Sequence, residues 1–97
     1  MATWIGLDPT SGPLERRDPR QMRARPRSLD GQVIGLVANG LGRGEALLDA
    51  IYAELGAGAS LNGAVRVLKP SVSVPPEPAD WARLTSEATL AITGFGG

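Results

Sequence analysis

The sequence predicts an α/β unit built on a short parallel sheet. Two observations carry that prediction. Three apolar runs of strand length, at 32–38, 64–68 and 89–93, are each bounded by glycine, proline or asparagine. Between them lie two stretches, 45–55 and 79–88, whose apolar residues recur every three or four positions. Strand, helix, strand, helix, strand in that order implies parallel strands with helical crossovers, in a small Rossmann-like three-layer arrangement. We divide the chain into an extended basic arm, 1–31, and an α/β half-domain, 32–97.

The first predicted strand is Gln32 to Ala38. It is rich in β-branched residues and apolar throughout, as expected of a parallel strand covered on both faces. Asn39-Gly40-Leu41-Gly42-Arg43-Gly44 follows as a loop. Its glycines do not have dinucleotide-fingerprint spacing, and it lacks the lysine–hydroxyl pair of a phosphate-binding loop. A flexible strand-to-helix turn is the reading that fits it.

Glu45 to Leu55 has the strongest helical pattern. Leu47, Ile51 and Leu55 repeat at i, i+4, i+8, with Leu48 and Tyr52 beside them. Glu45 suits the positive end of the helix dipole, and Gly56 and Gly58 are expected to end the helix. Ala64 to Leu68 is the second strand, stopped by Lys69-Pro70. A proline-stiffened loop, Ser71 to Pro78, leads to a helix over Ala79 to Ala88 on which Trp81, Leu84 and Ala88 share a face. Thr89 to Thr93 is the third strand, and Gly94-Phe95-Gly96-Gly97 reads as a glycine-rich turn.

Composition narrows the chemistry. Ninety-seven residues make one small domain with a thin stability margin, and thirteen glycines with eight prolines imply much turn and irregular chain. There is no cysteine and no histidine. That excludes a disulfide, a cysteine- or histidine-based metal site and a nucleophile–histidine dyad within these residues. No apolar run approaches the ~20 residues of a membrane span, so we expect a cytoplasmic protein without a membrane segment. The sequence specifies no cofactor.

Net charge is zero but unevenly spread. Arg16, Arg17, Arg20, Arg23, Arg25 and Arg27 crowd 15–27 against Glu15 and Asp18 only. Pro19 and Pro26 argue against a long helix there. No aromatic residue is interleaved to stack on bases, which argues against nucleic acid and for a solvated arm lying on an acidic surface. Ahead of it, Trp4, Ile5 and Leu7 are apolar enough to dock on a partner or on the body.

Ligands of open parallel sheets bind beyond the carboxyl ends of the strands. That rule gathers Asn39 and Gly40, then Lys69, Ser71 and Ser73, then Thr93, Gly94, Gly96 and Gly97 at one edge. We read Lys69 and Asn39 as the candidate catalytic pair. The hydroxyls and glycine amides are candidate binders of a small anionic substrate. Lys69 could itself act as a nucleophile or base only if burial lowered its pKa. The competing reading is structural, with Lys69 a solvated strand end and the serines holding turns.

The chain resembles the UGSC family of (seleno)proteins. The matching pieces are Leu7-Asp8-Pro9-Thr10, the Leu29-Asp30-Gly31 entry to a strand ending at Asn39-Gly40, the helix beginning near Glu45, Lys69-Pro70-Ser71, and Ile92-Thr93-Gly94-Phe95-Gly96. The resemblance implies that the glycine turn leads into a reactive Cys/Sec-Gly-Ser-Cys motif at a helix start, where a thiol pKa is lowered. The residues given stop at Gly97, where that motif would begin. We therefore expect a subunit of a heteromeric enzyme whose reactive motif lies on a partner or processed second chain. The alternative is a non-catalytic interaction or regulatory module that binds an acidic partner through its arginines.

Overall fold

The computed structural model describes residues 3–7, 9–10 and 19–94. The elements follow in the order β1 (Val33–Ala38), α1 (Gly44–Gly58), β2 (Gly63–Leu68), α2 (Pro78–Glu87) and β3 (Leu90–Thr93). The three strands form one parallel sheet in the order β2-β1-β3. β1 is central. It pairs with β2 from Val33↔Gly63 to Ala38↔Leu68, and with β3 from Ile34↔Leu90 to Val37↔Thr93.

The alternation of side chains along β1 divides the core in two. Ile34, Leu36 and Ala38 face α1 and pack with Leu48, with Tyr52, Leu61, Ala64, Leu90 and Ile92 around them. Val37 faces the other way, with Val65 and Val67, and meets Leu84 of α2 and Ala88 just after it. The chain steps from β1 outward to β2, then back across β1 to β3. Right-handed crossovers in opposite directions place their helices on opposite faces, as these two clusters require.

Gly35 explains how α2 approaches so closely. A Cβ at this position would lie 2.9 Å from Leu84 Cδ2, 3.3 Å from Ala88 Cβ and 3.4 Å from Ala91 Cβ. The glycine removes the side chain that would hold the helix off the sheet.

Backbone and side-chain bonds pin the amino ends of the strands. Gly31 N–H donates to the Ser60 carbonyl at 2.7 Å, and Asn62 N–H donates to that of Gln32 at 2.8 Å. Asp30 Oδ1 accepts from Ser60 N–H at 2.7 Å. Thr89 precedes β3 and uses one hydroxyl twice: it accepts from Val33 N–H at 2.9 Å and donates to the Val33 carbonyl at 3.1 Å.

Three expectations need correction. α1 runs on through Gly56 and ends at Gly58, so of the two expected terminators Gly58 marks the end and Gly56 does not. A helix-interior glycine costs about 1 kcal/mol relative to alanine, too little to end a helix anchored by packing. The apolar stripe is also rotated: Leu48 is buried, whereas Leu47 is 46% exposed. Finally, Trp4, Ile5 and Leu7 do not dock on the body and are almost fully exposed. In the arm, 19–28 are likewise exposed, while Arg16 and Arg17 lie outside the described residues.

Candidate functional site

The strand order creates a feature that element order alone does not reveal. The chain moves from β1 to β2 in one direction and then back across β1 to β3 in the other, so the strand order reverses at β1. Such a switch point is where doubly wound sheets open a crevice. The segments bordering this edge are the loop after β1, the loop after β2, and Gly94 after β3.

The first two loops are tied together. Lys69 N–H donates to the Ala38 carbonyl at 2.8 Å, which joins the start of the second loop to the end of β1. Asn39 Oδ1 accepts from Leu41 N–H at 3.0 Å, a local turn that shapes the backbone around Gly40. Gly40 has φ +83°, a conformation that favours glycine. Ser71 Oγ accepts from Ser73 N–H at 3.3 Å. Lys69 Nζ donates to the Val72 carbonyl at 3.2 Å, which curls the ammonium over its own loop. Two more of its three protons can serve a ligand.

Two concavities meet at Lys69. One, of about 540 Å³, is an open depression between the loops after β1 and β2. It brings together Asn39, Gly40, Lys69 and Ser71. The other, of about 450 Å³, lies between α2 and β3 and is lined by Val37, Lys69, Trp81, Leu84, Ala91 and Thr93 among others. Among the described residues neither lining contains a carboxylate, and Lys69 is the cation that the two share.

The predicted site residues therefore divide. Asn39, Gly40, Lys69 and Ser71 share one depression, and Thr93 joins Lys69 in the second. Ser73 lines neither and is linked through its backbone to Ser71. Gly94 sits at the end of β3 with φ +141°. Gly96 and Gly97 lie outside the described residues. Asn39 Oδ1 and Ser71 Oγ are committed to loop structure, which limits them to shaping the site unless a ligand displaces those bonds.

Reasoning from sequence missed the wall made by Trp81, Leu84, Thr85 and Ala88. The signal was present in the shared face of Trp81, Leu84 and Ala88, to which the sequence reading gave no role at the site. Trp81 is in fact 56% exposed. Among the described residues, no group of three or more histidine, cysteine or acidic side chains could hold a metal. No described helix is long and apolar enough to cross a membrane.

Fold and edge together define a doubly wound α/β unit with a cationic crevice at its switch point. The chain belongs to the UGSC family, whose model matches residues 6–97. No curated protein and no solved structure matches the chain.

Proposed function

We propose that this chain is the N-terminal half of a UGSC-type α/β catalytic domain, acting as a subunit of a heteromeric cytoplasmic enzyme on a small anionic molecule. The observation that carries the reading is the position of Lys69. It is the cation common to both concavities, at the edge where loops after β1 and β2 converge. In this reading Lys69 binds and polarises the substrate. Asn39 and Ser71 hold the loops that frame it. Thr93 and the backbone N–H of Gly94 complete the edge. The reactive nucleophile or acid–base groups come from a second polypeptide that bears the family's motif.

The test is calorimetric titration of the assembled complex with a panel of small carboxylates and phosphates. One class should bind, and Lys69→Ala should weaken it about tenfold or more, the worth of a charge-assisted hydrogen bond. Binding left unchanged by Lys69→Ala would remove the residue from the site.

A second reading rests on the arm. Arg20, Arg23, Arg25 and Arg27 are exposed in non-helical backbone. If the protein is an interaction module, charge reversal at these arginines is the damaging change, and Lys69→Ala is silent.

A further inference from the structure

Polar groups are distributed unevenly along the groove between α2 and β3. On the α2 face of the sheet, Val67, Val37 and Thr93 stand in one row, and Val65, Gly35 and Ala91 in the row before it. Lys69 follows β2 directly and shares the face of Val65 and Val67 by strand alternation. Lys69 and Thr93 therefore stand at the carboxyl end of the groove, and Ala91 lies on the floor behind them. Trp81, Leu84 and Ala88 form the wall.

Three threonines line the groove, but two have spent their protons. Thr85 Oγ1 turns back on its own helix and donates to the Trp81 carbonyl at 3.0 Å. Thr89 Oγ1 both donates to and accepts from the backbone of Val33. Thr93 is exposed, and among the described residues no hydrogen bond engages its hydroxyl. The side-chain donors open to a ligand are thus the Thr93 hydroxyl and the two Lys69 protons not held by Val72. Behind them a ligand meets carbon, from the half-exposed Trp81 to Ala91.

We infer that the groove takes a small organic monocarboxylate with an apolar body, its carboxylate at Lys69 and Thr93 and its body against Trp81 and Ala91. The inference rests on the small-anion reading above and narrows its substrate class. Charge sets the head. Among the described residues Lys69 is the only charged side chain in the lining of either concavity. One ammonium compensates one negative charge, so a phosphate dianion would leave its second charge beside apolar walls. Polarity sets the body. A hydroxylated body would exchange water for walls with no open side-chain donor, whereas an apolar body gains by burial. The volume of about 450 Å³ is that of a small-molecule site.

Calorimetric titration of the purified native protein tests this, with phenylpropionate, propionate, gluconate and phenyl phosphate as probes. Phenylpropionate should bind about tenfold or more tighter than propionate, which has the same head and a smaller body. Gluconate and phenyl phosphate should bind no tighter than propionate. Lys69→Ala should weaken phenylpropionate about tenfold or more. Ala91→Leu fills the floor at an exposed position. It should bring phenylpropionate within about threefold of propionate without lowering the unfolding midpoint.

If propionate and phenylpropionate bind alike and both weaken in Lys69→Ala, the apolar body is wrong and the small-anion reading stands. Tighter gluconate overturns the inference in the same way, and tighter phenyl phosphate overturns the carboxylate head. A preference for phenylpropionate that Ala91→Leu leaves intact puts the body outside the groove and overturns the inference. If none of these anions binds, or if Lys69→Ala changes nothing, both readings fail.

Discussion

The two faces of the sheet are built to different standards. Under α1, Ile34, Leu36, Ala38 and Leu48 are each at most 2% exposed. Under α2 the strand residues Val65 and Val67 are buried, yet α2 itself contributes no buried residue. α1 lies squarely over the central strand. α2 comes close at Gly35 but leaves Ala91 and Thr93 of β3 open. The lesson is that the α1 face is finished within these residues. Among the described residues the α2 face is covered over β1 and β2, and the candidate site lies along its open side.

Substitutions can break or sharpen that contrast. The largest expected effect is on the finished face. Leu48→Ala should destabilise the chain by about 2–5 kcal/mol, read from urea denaturation, because it empties the centre of the α1 cluster. Gly35→Val comes next, at about 1–3 kcal/mol, because its side chain meets Leu84, Ala88 and Ala91 and lifts α2. A loss as large as that of Leu48→Ala would show that the α2 face is as tightly packed as the other. Thr89→Val should cost about 0.5–1.5 kcal/mol through the bonds to Val33, and amide exchange should rise in β3 more than in β2. The smallest effect is at the exposed ion pair of Arg66 and Asp49. Removing it should cost about 0.2–1 kcal/mol, less at high salt, even with Arg66 stacked 5.8 Å over the Tyr52 ring.

Much of this arrangement was legible beforehand. Strands and helices announced themselves through their separate periodicities, and β1 was recognisable as doubly covered from its unbroken apolar run. The convergence of Asn39, Gly40, Lys69 and Ser71 followed from the rule that loops gather at the carboxyl edge. Strand order was not legible, because either edge of β1 is open to the third strand in a pattern of alternating elements. Without that order, neither the switch point nor the groove could be placed. The rotation of α1 was also hidden, since Leu47 and Leu48 are adjacent and either completes a stripe with Ile51 and Leu55. Gly35 was a usable signal that went unread: a lone glycine inside a β-branched strand marks a close approach. The local bonds of Asn39 and Ser71 could have been anticipated from turn chemistry.

The central proposal is that this chain works as a subunit together with a second polypeptide. Native mass spectrometry of the complex purified from its own source, followed by denaturation, tests it most directly. The expected result is a native mass larger than this chain that resolves, on denaturation, into this chain and a different polypeptide in fixed ratio. A single species at this chain's own mass, or at a simple multiple of it, would contradict the claim and turn attention to the arginine arm.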